Sequence, residues 1–346
     1  MSKCRGCGIV LQHEHPNQLG YSPKKDALYC KRCFRINHYG DVTFDMKKGI
    51  DPVDILSKVN KMNCLVVWVV DLFDFEASLM DSLNRHLYNK EIVVVLTKKD
   101  LIPATIGDDK LAKFVKKRFE YYGLHVVDVV YTGFHYDSVT VKDTISKHSQ
   151  NREVVVLGMT NVGKSTMLNS LMNTQTLTAS VYPGTTLDFN ELKIDGVTYM
   201  DTPGLENNQS MIMYLNKDSD ANYIIPHKLI KPIGFQTQKE QSFSIEGLCR
   251  IDFFGLDKTS IVFYKSNELC IHRGKVINAQ QYWLNQDFKI KLNIDSSEYK
   301  ETTFNYQGNC DVVIAGLGFI SVKGPYTAIK VYTHPNVKVL QREVML

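Results

Sequence analysis

The sequence predicts an α/β fold with a small unit before it and a β-rich unit after it. Three observations carry that reading. Strand-like apolar runs alternate with amphipathic helical stretches through the middle of the chain. A glycine-rich loop joins one of those strands to the next helix, and beyond about Asn222 only short strands follow. At 346 residues the chain has room for two or three domains. With 44% hydrophobic and 23% charged residues it is globular, which excludes disordered and collagen-like classes. Its longest apolar run, Cys64 to Val70, falls far short of the ~18–20 residues of a membrane span. The opening MSKCRGCG has neither secretory nor transit-peptide character, so a cytoplasmic protein without a membrane partner is expected.

The elements follow in order. The opening 35 residues have little hydrophobic periodicity and are too few to bury a core, so a metal staple is expected in a module spanning 1–45. From 46 to 222 the pattern is that of a parallel sheet with covering helices. CLVVWVVDLFDF and EIVVVLTKKDL each read as a buried strand running into a polar loop, with helical spacing over Ala77–Tyr88 between them. Lys110–Tyr122 is an amphipathic helix, followed by the strand HVVDVVYTG. NREVVVLG is a further strand, and KSTMLNSLMN a helix. ELKIDGVTYMDTPG reads as a hairpin turning at Asp195-Gly196. From 223 to 346 FSIEGLCRIDFFGL, TSIVFYKS, ELCIHRG, FKIKLNI, CDVVIAGLGFISVKG and TAIKVYTH read as strands, and the helices fade. The net charge of +4 is too mild to declare a nucleic-acid partner.

The chemistry is concentrated in a few motifs. Gly158-Met-Thr-Asn161-Val162-Gly163-Lys164-Ser165, followed by Thr166, fits G-x-x-x-x-G-K-[ST] and lies between a buried strand and a helix. Such a loop brings successive backbone N–H groups against phosphate, with Lys164 reaching the β/γ-phosphates and Ser165 the Mg²⁺ ion. Asp201-Thr-Pro-Gly204, ending the hairpin, places a carboxylate near Mg²⁺ and an N–H near the γ-phosphate. Between them, Tyr182-Pro-Gly-Thr185-Thr186 supplies a threonine for the Mg²⁺ shell, and Thr186 is the expected one. In this order the three motifs indicate a GTPase. The guanine-reading loop normally follows them, but nothing suitable does. Thr97-Lys98-Lys99-Asp100 instead occurs upstream, at the end of a strand. Asp100 can accept from guanine N1–H and the exocyclic amine, and Lys98 can lay its stem along the base. The fold expected is therefore α/β: a circularly permuted P-loop GTPase domain, flanked by a zinc module and a β-rich domain. Permutation is cheap because domain termini often lie close together.

Cys4-x-x-Cys7 and Cys30-x-x-Cys33 give four thiolates for a tetrahedral Zn²⁺ site. Cys64, Cys249, Cys270 and Cys310 are scattered and read as small apolar residues.

Together these pieces resemble the YqeH family of circularly permuted GTPases. The resemblance is carried by Cys4–Gly8, Cys30–Arg35, Val70–Phe75, Gly158–Thr166, Pro183–Thr186 and Asp201–Gly204. Asn267-Glu-Leu, Ile271-His-Arg273 and Gly316-Leu-Gly318 extend it over essentially the whole chain. It implies a GTP/GDP-binding, Mg²⁺-dependent GTPase that assists small (30S) ribosomal subunit assembly, its terminal domains meeting rRNA or ribosomal proteins. Two departures bear on the base. Threonine stands at position 97 where the family usually has asparagine, and Tyr131-Thr132-Gly133 replaces a Ser-Ala loop, so base discrimination is expected to be poorer. The water-orienting position after DxxG is Leu205, so unassisted hydrolysis is expected to be slow. Related GTPases with a hydrophobic residue there resemble this chain in an asparagine at the position of Asn161. That likeness implies a K⁺ ion across the phosphates and a catalytic set of Asn161, Lys164 and Thr186. The rival readings are a small-molecule NTPase or kinase, and a nucleic-acid-binding zinc protein with a degenerate nucleotide fold. Asp71 and Asp74 read as caps of the loop after a buried strand, and Gly316-Leu-Gly318 as a turn or bulge.

Overall fold

The computed structural model describes residues 11–14, 21–29, 52–80, 83–103, 107–133, 137–172, 189–295 and 298–346. Cys4, Cys7, Cys30, Cys33, Thr185 and Thr186 lie outside the described residues. The first half contains α1 (Pro52–Lys61), β1 (Cys64–Asp71), α2 (Leu83–Leu87), β2 (Glu91–Thr97), α3 (Asp108–Tyr121), β3 (His125–Tyr131), α4 (Ser138–Ser149), β4 (Glu153–Gly158), α5 (Lys164–Met172), β5 (Asn190–Ile194) and β6 (Val197–Asp201). Its sheet has the order β3-β2-β1-β4-β6-β5, parallel except for β5, which returns to β6 through the Asp195-Gly196 hairpin. β1 is central and buried at every position, as its uninterrupted apolar run requires. The covering helices show the expected stripe: Leu111, Val115 and Phe119 in α3, and Val141 and Ile145 in α4. Asp137 caps α4, accepting from the Val139 N–H at 2.9 Å.

Helical spacing over Ala77–Tyr88 overstates the helix that forms. Phe75–Ser78 is a single buried 3₁₀ turn, Leu79 is extended, and α2 covers Leu83–Leu87. The turn is pinned to β1, because the Trp68 indole donates to Ser78 O at 3.1 Å and the Asp71 N–H to Ser78 Oγ at 3.3 Å.

The second half is built from α6 (Ala221–Ile224), β7 (Ile233–Thr237), β8 (Gln241–Ile245), β9 (Cys249–Phe254), β10 (Thr259–Lys265), β11 (Ile271–Gly274), α7 (Val276–Asn285), β12 (Lys300–Asn305), β13 (Cys310–Ile314), β14 (Gly318–Lys323), β15 (Ala328–Thr333) and β16 (Val339–Arg342). Two five-stranded antiparallel sheets, β16-β13-β14-β10-β7 and β11-β8-β9-β15-β12, enclose a core around Phe243, Ile251, Phe253, Phe263 and Ile329. The helix α7 was not expected, and its sequence shows why. Only Ala279 and Trp283 are buried, while Ile277 is 87% exposed, so the apolar residues do not mark the inward face. Among the described residues no helix is long and apolar enough to cross a membrane.

The first of these sheets is covered on both faces. Val312, Ile314, Ile320 and Val322 join the second core, while Val313 and Phe319 join the first. Charge is buried at this seam as well. Glu76, with no exposed surface, accepts two hydrogen bonds of 2.9 Å from Arg118 of α3, and Arg342 of β16 lies 3.4 Å away. Arg342 also reaches Asp311 of β13 at 3.5 Å. Removing one partner from a buried network leaves uncompensated charge, so Glu76→Ala is expected to lower stability by about 3–5 kcal/mol. A urea melt checks this; a loss below about 1 kcal/mol would put the network on a par with surface pairs.

Candidate functional site

Parallel strands all leave the sheet at one edge, and the motifs gather there. β4 ends at Gly158 and the glycine loop leads into α5. The loop requires its glycines. A Cβ on Gly158 would lie 2.9 Å from Val69 O, and Gly163 has φ +91°. Asn161 sits in the left-handed region at φ +64°, exposed at the mouth with Ser165 and Thr166. Lys164 is buried with its Nζ 3.0 Å from Asp201 Oδ1. Burial pulls its ammonium below the usual lysine range, and the Asp201 carboxylate opposes that. This cradle, with Lys164 in it and Ser165 and Asp201 at its rim, fits a nucleotide phosphate with a divalent cation.

The DxxG segment is fastened to the same loop. Thr202 Oγ1 donates to Val156 O at 2.8 Å. Gly204 lies against Thr160, whose Cα a Cβ would approach to 3.1 Å. Leu205 then forms a parallel bridge with Met159: its N–H donates to Gly158 O, and its carbonyl accepts from the Thr160 N–H, both at 3.0 Å. The Leu205 side chain is fully buried in the core, so it orients no water.

The predicted base loop stands beside the glycine loop although 65 residues separate Thr97 from Val162. Thr97 Oγ1 donates to Val162 O at 2.6 Å and lies 3.1 Å from Val70 O. Lys98 adopts φ +59° and sets its Nζ 2.5 Å from Asp71 Oδ2. Lys99 pairs with Asp108 and lies over the Tyr131 ring. Among the described residues no hydrogen bond engages the Asp100 carboxylate, which leaves its oxygens able to accept from a base. Thr132 closes this end of the site, its N–H donating to Leu96 O at 2.8 Å, and Gly133 follows it.

Asp71 and Asp74 do more than the sequence indicated. Asp71 caps Phe73 N–H at 3.0 Å and also holds Lys98. Asp74 reaches into the second half, both of its oxygens accepting from Gly316 N–H at 3.0 Å. Burial pushes the Asp74 carboxyl up to about 7, against the pull of the Gly316 hydrogen bond. Gly316, at φ +83°, has no room for a side chain, since a Cβ would lie 2.8 Å from Met211 N. The Gly316-Leu317-Gly318 turn is thus wedged against both the loop after β1 and the segment after DxxG. A cavity of about 70 Å³, open to solvent, lies between these parts, with Asp71, Lys98, Asn161, Val162, Ser210 and Gly316 among its walls. Only the pair of glycines hinted at this placement in the sequence.

Comparison with known proteins agrees with this architecture. A family model described as a 50S ribosome-binding GTPase matches residues 153–230, and one described as YqeH-like, C-terminal, matches residues 258–345. The YqeH protein of Bacillus subtilis is 32% identical, the match covering 99% of each chain. The chain belongs to the YqeH family. A more distant relative is NO-associated protein 1, chloroplastic/mitochondrial, of Arabidopsis thaliana, 26% identical over 93% of this chain and 70% of that one. Among solved structures, GNP-bound YlqF from T. maritima matches 44% of this chain and 57% of its own at 22% identity, with a TM-score of 0.30.

Proposed function

We propose that the protein is a Mg²⁺-dependent switch that binds and slowly hydrolyses GTP and assists assembly of the small ribosomal subunit. The observation that carries the nucleotide reading is the hydrogen bond from Thr97 to Val162. It sets a loop able to read guanine directly beside a loop able to hold phosphate, in the reverse of their usual chain order. In this reading Asp100 accepts from the base, and Lys98 and the Thr132-Gly133 loop border it. Backbone N–H groups of Asn161 to Thr166 surround the phosphates, with Lys164 bridging them. The bound nucleotide supplies the phosphoanhydride that water cleaves. Ser165, Asp201 and Thr186 hold Mg²⁺, and Gly204 N–H meets the γ-phosphate.

The switch reading is supported by how short the path from nucleotide to second half is. Leu205 is bonded to the phosphate loop, and Met211, six residues on, is buried in the second core with its N–H donating to Ala315 O at 2.8 Å. Movement of DxxG on GTP binding therefore loads the β-rich half. Residues 1–45, 46–222 and 223–346 act in this reading as zinc, nucleotide and RNA- or protein-contacting units. The small-subunit role rests on family membership.

Calorimetry tests the site: GDP and GTP are expected to bind far more tightly than ATP, with the preference lost in Asp100→Ala. Hydrogen exchange at Met211 and Gly316 should differ between GDP and a non-hydrolysable GTP analogue. Equal ATP binding would reject the GTPase reading, and identical exchange the switch. Turnover is expected to rise when K⁺ replaces Na⁺, as a K⁺ site at Asn161 requires, and again with immature small subunits. An equal rate in every mixture would reject both roles. For the four cysteines, Cys30→Ser with Cys33→Ser is expected to abolish bound zinc and unfold the N-terminal module, since structural zinc contributes ~10–16 kcal/mol in finger peptides. Unchanged zinc content in that variant counts against the Cys₄ site.

A further inference from the structure

Threonine at position 97 was expected to weaken contact with the base. The structure gives its hydroxyl a different task. Thr97 is 5% exposed, with Oγ1 at 2.6 Å from Val162 O and 3.1 Å from Val70 O. A hydroxyl has one proton to donate, and both neighbours are carbonyls that only accept. The proton is therefore committed within the protein. Guanine offers N7 and O6 as acceptors, and neither is served unless the Val162 bond breaks. Val162 itself is 4% exposed, so breaking it would strand a carbonyl away from water.

The carbonyl concerned sits at a decisive place. In a planar trans peptide the C=O of one residue and the N–H of the next point in opposite directions. Holding Val162 C=O against Thr97 therefore turns Gly163 N–H the other way, into the cradle. Glycine 163 leaves the peptide free to rotate, since φ +91° is open to it and few other residues. The Thr97 methyl closes one side, 3.3 Å from where a Gly163 Cβ would be. Val70 lies in β1, paired in register with Leu96 of β2, so the clamp is anchored on the central strand of the sheet.

We propose that Thr97 is a positioning residue for the phosphate loop, fixing the Val162–Gly163 peptide so that its N–H faces the phosphates, and that it does not read the base. The inference rests on the nucleotide reading given above. It makes base selection the work of Asp100 and its neighbours, and makes phosphate affinity depend on a residue of the base loop.

The test is the affinity of the full chain for GDP, for 7-deaza-GDP, which lacks N7, and for 6-thio-GDP, in which sulfur replaces O6. Thr97→Val, which keeps the shape and removes the hydroxyl, is expected to weaken all three together by about tenfold, the scale of one hydrogen bond to a buried acceptor. The ratios among the three should stay those of the parent, and Thr97→Ser should restore binding to within about threefold. A change in either ratio in Thr97→Val would place the hydroxyl on the base and overturn the proposal, as would unchanged GDP affinity. Should Thr97→Val not fold, Thr97→Ala removes the same hydroxyl without adding bulk and is read in the same way. Asp100→Ala separates the two levels: GDP and ADP bound equally by the parent, or a guanine preference untouched in that variant, would sink the nucleotide reading whatever Thr97 does.

Discussion

Everything at the site depends on β1 lying between β2 and β4 with all three strands parallel and in register. Parallel strands end on one edge, and ligands of open α/β sheets bind there, where neighbouring connections diverge. The order β3-β2-β1-β4-β6-β5 places that divergence between β1 and β4. The loops after β1, β2, β4 and β6 therefore converge, carrying Asp71, the Thr97–Asp100 segment, the glycine loop and DxxG. Which loop comes first along the chain does not matter to this geometry. A sheet is specified by its neighbour pairs, and these survive when the chain is cut and rejoined elsewhere.

The second half is joined to this edge by a seam that is polar as well as apolar. Glu76, Arg342 and Asp311 are buried there alongside Val313 and Phe319, with the half-buried Arg118 paired to Glu76. Buried charge specifies arrangement better than it adds stability, because a displaced partner leaves a desolvated ion behind. The Asp74 carboxylate on Gly316 N–H obeys the same logic a few residues from the nucleotide loops. With Leu205 bonded to the phosphate loop and Met211 in the second core, the segment between has little slack. The two halves are therefore coupled through backbone and buried charge, with a solvated cavity at their junction.

Much of the site was legible because phosphate binding places strong local demands on sequence. A backbone that must approach an anion needs glycine, a lysine and a hydroxyl at fixed offsets, so Gly158–Ser165 announces itself. Asp201–Gly204 and Thr97–Asp100 were visible by the same reasoning, since each terminates a strand. Other features were not legible. Asp71 and Asp74 read as loop caps because a capping aspartate and one reaching another part of the fold have the same local sequence. The helix α7 escaped because Ile277, 87% exposed, is apolar while the polar Asn278 and Gln280 flank the buried Ala279.

The sequence by itself determined the strand–helix alternation, the β-rich second half, the permuted motif order and the membership of the YqeH family. Those properties are set by hydrophobic period and by short motifs whose chemistry is local. Only the tertiary structure decided that Thr97 faces Val162 O, that Asp74 meets Gly316, and that Glu76 stands between two arginines. Each of these joins residues far apart in the chain, 65, 242 and, for Glu76 and Arg342, 266 positions. Contacts at that range are fixed by sheet register and by the packing of one half on the other, which no window of sequence records.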